Sequence, residues 1–245
     1  MQTGYVSSSY IPQNDEELAQ GIPITTGIVK PVKSKFISDV LTIVFFQLAI
    51  STSTSVVGYN YREDLINFIK NDPGYLYLPI ILSFMSLISL NCCDLNKCAK
   101  YSIFFVFTIS ISSSITIVIL PYSTAIVLQS FSATSISVFV INICAWISAK
   151  KNINFIGYSS FIFSMLATLL VLSLFQIFIH SSIMESFITF LGIFVFTLYL
   201  LYDLNLLYNR EYDEFDPIMV AIDIYLDIIN MFLYILQCLS GSTDN

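Results

Sequence analysis

Residues 217–239 read PIMVAIDIYLDIINMFLYILQCL, a stretch of 23 that is long enough to cross a bilayer yet carries Asp223, Asp227 and Asn230 within it. The three polar positions are spaced i, i+4, i+7. At about 100° per residue they share one helix face, and Tyr234 continues the stripe. Ile, Leu, Met and Phe fill the remaining faces. A carboxylate at mid-bilayer costs roughly 2.5–3.5 kcal/mol on insertion scales, so such residues turn toward a bundle interior or a water-filled cavity. Reach to water from a helix end accounts for Asp223 but not for Asp227 as well. The stretch therefore predicts a span with a polar seam turned away from lipid, and a bundle arranged around it.

The rest of the chain supplies that bundle. It is 56% hydrophobic and 11% charged, against about 25% charged in soluble domains, which makes it an all-α polytopic membrane protein. Apolar segments near 36–58, 75–92, 101–120, 124–147, 155–179, 183–208 and 218–239 predict seven transmembrane helices in one domain, 36–240. Residues 1–35 lack core residues and read as a disordered cytosolic tail. The loops are short except 59–74, which predicts an amphipathic interfacial turn. Runs of hydroxyl residues at Ser51–Ser55, Ser110–Ser114 and Ser132–Ser137 suit close helix approach with hydrogen bonds across the interface.

The charge of −7 comes with no basic patch, so a nucleic-acid partner is excluded; lipids surround the spans. The five cysteines (Cys92, Cys93, Cys98, Cys144 and Cys238) form no disulfide framework, because three crowd one short loop placed in the cytosol. Lys and Arg set that placement. Lys30, Lys33, Lys35, Lys97, Lys100, Lys150, Lys151 and Arg210 lie on one side and only Arg62 and Lys70 on the other, so the N-terminus is cytosolic. Seven crossings put the C-terminus on the far side; a re-entrant last segment would return it.

Asp203, in LYLLYDLNLLY, is the acid of the sixth span. At ~1.5 Å per residue, Asp203 lies about 8 Å from the cytosolic end, Asp223 about 9 Å and Asp227 about 15 Å. Depth alone pairs Asp203 with Asp223. Helical side chains, however, lean toward their own N-terminus, so Asp203 and Asp227 converge while Asp223 leans away to the vestibule. Two carboxylates in a dry site do not both ionise easily, so a shared proton is expected to hold the two helices together. Its loss leaves two like charges, or a site attractive to Ca²⁺. Asp216, just before the last helix, is placed to concentrate cations at the mouth.

These residues resemble the Bax inhibitor (transmembrane Bax-inhibitor-motif) family, most closely its lifeguard and Golgi anti-apoptotic branch. Ile224-Tyr225-Leu226-Asp227-Ile228-Ile229-Asn230 followed by Phe232-Leu233 is similar to the family's LYLDIINLFL helix, and Tyr202-Asp203 to its YD motif. Val127-Leu128-Gln129-Ser130-Phe131 is similar to an LQAF element, and Ser182-Ile183-Met184-Glu185 to the opening of the sixth helix. The resemblance implies a seven-helix fold with a central seventh helix, a Ca²⁺ leak through ER or Golgi membranes, and inhibition of apoptosis. It also implies that the paired aspartates are Asp203 and Asp227, with Ca²⁺ as the transported or bound ion and no cofactor. The chain departs from the family in lacking an acid in 103–120, in reading Asn91-Cys92-Cys93-Asp94 where a basic residue often stands, and in carrying Asp223. An Ile, Asn, Ser and Phe bias fits an AT-rich genome, as in a viral homologue.

Two other classes compete. A non-conducting scaffold would regulate ion channels or apoptotic proteins through the tail or the acidic run 211–216. An intramembrane aspartyl protease would need GxGD where this chain has Val220-Ala221-Ile222-Asp223, so no enzyme is expected. One histidine, His180, is too few for a His-built metal hydrolase, and its outer loop makes it a solvated residue.

Overall fold

In lipid each backbone amide must be satisfied within its own segment, and the apolar runs accordingly fold as helices. A computed structural model describes residues 26–93, 96–153, 155–209 and 216–241, with side chains from residue 34. The helices are α1 (Thr26–Asn60), α2 (Arg62–Asn71), α3 (Tyr77–Cys92), α4 (Lys97–Ile119), α5 (Thr124–Lys150), α6 (Ser159–Ile179), α7 (Ser182–Asn209) and α8 (Pro217–Gly241). All but α2 are long and apolar enough to span a membrane, α3 together with the 3-10 turn Pro73–Leu76 that leads into it, and no strand occurs among the described residues.

The ends are set locally. The Asn96 side chain accepts from Ala99 N at 2.9 Å to start α4, and Ser123 accepts from Ile126 N at 3.4 Å to start α5. His180 closes α6 in the left-handed region, φ 49°, exposed at the turn. The 59–74 connection contains an amphipathic helix, α2, none of whose residues is buried. One boundary differs from expectation. α1 begins at Thr26, so part of the 1–35 tail is helical, its backbone continuing the apolar span by one unbroken hydrogen-bonded ladder. Residues 1–25 lie outside the described residues, as do 210–215 with most of the acidic run.

α8 is the axis. Its most apolar window is 56% buried, against 39% for α4 and less for every other span. α1, α5 and α7 pack directly on it, α3 packs on α4, and α6 packs on α7. Two apolar clusters meet on its surface. Ala221, Ile224, Ile228, Met231 and Ile235 join α1, α5 and α7 on one face, while Ile218, Ile222, Tyr225, Ile229, Phe232 and Leu236 join Phe107, Ile115 and Ile119 of α4 on the next. The third face carries Asp223, Asp227, Asn230 and Tyr234. Outward, Phe45, Phe84, Phe139, Phe163 and Phe178 stand exposed, an apolar exterior that suits acyl chains and not water.

α1 and α4 run parallel and are joined by a ladder at a constant offset of 61 residues: Gln47–Thr108, Ser51–Ser112 and Ser55–Thr116. The first two hydroxyl runs therefore do bond between helices. Ser132 and Ser135 do not; they bond back to Leu128 and Phe131 carbonyls of their own helix and stay exposed, a common alternative where no neighbour approaches.

Candidate functional site

The site forms where α7 runs antiparallel to α8. α7 is fixed at one end by Asn205, which is 1% exposed and hydrogen-bonds both sides of the α5–α6 connection. Its Nδ2 donates to Ile153 O at 3.1 Å, and its Oδ1 accepts from Phe155 N at 3.3 Å. Removing the side chain takes its partner from Phe155 N, while Ile153 O keeps Asn209 Nδ2 at 3.1 Å, a cost of about 1 kcal/mol. Asn205→Ala is expected to lower the thermal midpoint and to speed amide exchange at Phe155; unchanged exchange would refute the anchoring role.

α8 is fixed at the same end by Asp216. This residue caps the helix, accepting from Ile218 N at 2.9 Å, and pairs with Lys100 at the start of α4. Its charge is thus met by a lysine as well as by the helix terminus. The cap is worth ~1 kcal/mol and an exposed ion pair at most about that. Asp216→Ala is accordingly expected to cost more stability than Lys100→Ala, as measured by thermal unfolding in detergent; the reverse order would show that the ion pair dominates.

Between these anchors the acids meet. Asp203 of α7 and Asp227 of α8 are within hydrogen-bonding reach of each other, and Tyr199, one turn along α7, lies close enough to feel the charge of both. Asp227 is 6% exposed, and its Oδ2 is buried without a hydrogen-bond partner. Asp223 sits one turn nearer the α8 start on the same stripe, but exposed. It lies outside the carboxyl contact, although it is the residue an aspartyl-protease reading would pair with Asp203. Asn230 is half-buried and its Nδ2 donates to Leu226 O at 2.8 Å, which leaves the amide oxygen to face the stripe.

Tyr234 stands further along the stripe. The Tyr234 ring stacks on Phe196 at 5.8 Å between centroids and 25°, with its hydroxyl in reach of Ser173 on α6. It lies flat on the backbone at Gly192, where an added Cβ would stand 2.5 Å from the ring. Beyond it, Gln237 Nε2 donates to Glu185 Oε1 at 3.2 Å. Polar residues at 223, 227, 230, 234 and 237 therefore line one face of α8 toward α7. α8 carries this face as one unbroken helix of 25 residues, long enough to cross a membrane.

Among the described residues, no three His, Cys, Asp or Glu side chains gather as a metal site. The described cysteines are free thiols. Gln237, Glu185 and Gly192 went unnoticed in the sequence as site residues. Gln237 was within reach, because it falls one further i+3 step along the stripe.

A family model described as "Inhibitor of apoptosis-promoting Bax1" matches residues 33–244. The chain is 26% identical to Protein lifeguard 4 of Mus musculus over 210 residues, 86% of each chain. It is 30% identical to Protein LIFEGUARD 1 of Arabidopsis thaliana over 211 residues, 84% of this chain and 88% of that protein. It is 25% identical to the Golgi anti-apoptotic protein of Vaccinia virus (strain Lister), covering 86% of this chain and 87% of the viral one.

Proposed function

Because this chain belongs to the Bax inhibitor family, with the match running over nearly all of its spans, we propose that it is a multi-pass inhibitor of cell death in Golgi or ER membranes, acting as a pH-sensitive Ca²⁺ leak closed by Asp203 and Asp227. The names of its relatives support the anti-apoptotic role and a Golgi setting. The ion pathway rests on one observation, the contact of two carboxyl groups inside the α7–α8 interface with Asp227 Oδ2 unpartnered.

Two carboxyl groups in contact stay together while one proton lies between them. Without it, two unit charges at ~4 Å repel by about 4 kcal/mol at an effective dielectric constant of 20, enough to separate two helices whose other contact there is apolar packing. The closed state holds the extra proton. Rising pH on the side that reaches the pair therefore opens it, and falling pH closes it. Once apart, the carboxylates supply hard oxygen ligands to Ca²⁺ arriving past exposed Asp223, and the Asn230 oxygen follows along the stripe. With the basic end cytosolic, the pair lies nearer that side; protease access to a C-terminal tag, expected only from the lumen, tests the orientation.

The decisive measurement is Ca²⁺ entering liposomes that hold the purified protein and an enclosed indicator, followed across a pH series. Flux above protein-free vesicles that rises with pH is expected. Absence of flux from folded protein that still suppresses cell death would replace the leak with the non-conducting scaffold.

A further inference from the structure

At the basic end of the bundle, two neighbouring helices finish their lipid-facing stripes in cysteine. On α3, Leu78, Ile81, Met85 and Ile88 are 53–61% exposed and recur at steps of three and four. Cys92 is the next position of that stripe and the last residue of the helix. On α4, exposed Ile109, Phe105 and Tyr101 lead back at the same steps to Cys98, the second residue of its helix. Both cysteines are exposed free thiols. Because α3 packs on α4, they stand at the same end of one helix pair.

That end is a membrane boundary. Tyr101 is exposed one turn inside Cys98, and on α5 the exposed Trp146 ring lies under Lys150 Nζ at 3.6 Å. Aromatic rings of this kind mark headgroup level, with lysines on the aqueous side. The thiols therefore sit where water ends, beside exposed Lys97, with their apolar stripes running away into the acyl region. Charge places this end in the cytosol, where thiols stay reduced, so a disulfide is the poorer use. A metal is the poorer use as well, since the three cysteines of this end gather as no metal site among the described residues.

We infer that Cys92 and Cys98 are S-acylation sites, each taking a long-chain fatty acyl group from a fatty acyl-CoA through an acyltransferase of the same membrane. The cysteine thiolate attacks the thioester carbonyl carbon. A new C–S bond forms as the bond to the CoA sulfur breaks, and the CoA thiolate leaves with the proton that cysteine gave up. One thioester replaces another, so nothing is oxidised or reduced. A chain on Cys92 can lie along Ile88, Met85 and Ile81, and one on Cys98 along Tyr101 and Phe105. Thioesters are cleavable, so the α3–α4 side gains a reversible lipid coat that does not depend on ion flow between α7 and α8. Two other exposed cysteines serve as controls. Cys93 ends α3 in extended backbone and is off the stripe. Cys144 lies six residues before Lys150, about 9 Å deeper at ~1.5 Å per residue and beyond Trp146, where the thioester of an acyl donor does not reach.

Feeding palmitate with a terminal alkyne to cells that express the full-length protein tests this. Cysteine peptides of the purified protein are then read by mass spectrometry, with and without hydroxylamine, which cleaves thioesters. Hydroxylamine-sensitive label is expected on Cys92 and Cys98 and not on Cys144. Cys92→Ser/Cys98→Ser is expected to lower total label several-fold, whereas Cys144→Ser should leave it unchanged. Unlabelled wild-type protein, label confined to Cys93 or Cys144, or full label on the double variant would each overturn the assignment. The wild-type peptides decide even where a variant fails to fold.

Discussion

Liposomes bearing the Asp203→Asn/Asp227→Asn double variant are expected to pass Ca²⁺ at a low rate that no longer changes with pH. Asparagine keeps the shape of aspartic acid, and two facing amides hydrogen-bond to each other at any pH. The contact between α7 and α8 should then persist where the wild-type pair loses its proton, because no pair of like charges can form. Each single variant leaves one carboxyl group facing an amide, so no pair of like charges can form and the profile should flatten there too. Asp223→Asn, which alters an exposed acid outside the contact, should reduce the rate but leave its pH dependence in place. Retained pH dependence in the double variant would place the titrating group elsewhere and end the proposed mechanism. Because Asp227 is 6% exposed with one oxygen unpartnered, its replacement by a neutral side chain is also expected to leave the fold intact or firmer.

A comparable loss, of stability this time, is expected from Gly192→Val. The ring of Tyr234 already occupies the space 2.5 Å from where a Cβ would stand, and the ring is held in place by Phe196 and Ser173. It has no ready way to retreat. Forcing extra methyl groups into a filled interface costs about 1–3 kcal/mol, here at the contact that aligns α7 with α8. The thermal midpoint should fall by several degrees, and Gly192→Ala should show a smaller fall. Tyr234 supplies the control: in a Tyr234→Ala background the space is vacated, so Gly192→Val should cost little, and the two substitutions should be strongly non-additive. Additive effects would mean that glycine serves some need other than room for the ring.

Much of this arrangement could be read from spacing. Residues 217–239 showed a continuous polar stripe because α8 packs against α1, α5 and α7, so each face is specified by residue type, and the faces recur at helical period. The seven spans were legible for the same solvent reason. The lean of helical side chains toward their N-terminus, set against simple depth, brought Asp203 toward Asp227, and the two are in contact. What spacing along one helix could not supply was partnership across helices. Gln47 stands alone in an apolar run, and only the parallel register of α1 and α4 gives it Thr108. Asn205 follows Asp203 by two residues, yet it points to a loop 50 residues earlier in the chain. Gly192 resembles any small residue in a packed span until the ring lying against it is seen. The Ser132–Ser137 run misled for the opposite reason, since hydroxyls that bond to their own backbone look the same in sequence as hydroxyls that bond across.

Because α8 follows the six other spans in chain order, a ribosome making this chain releases the middle of the bundle after them. The six earlier spans reach the bilayer around an unfilled axis, with Ser51, Ser112 and Asp203 still lacking the partners that α8 brings. α8 itself, with two acids and an asparagine, is the span least able to partition into lipid alone and needs the waiting helices to receive it. The bundle therefore cannot close until α8 has left the ribosome, and until then a membrane-resident chaperone is most needed. Any stop codon before Pro217 should yield a product cleared by quality control rather than a weakened one.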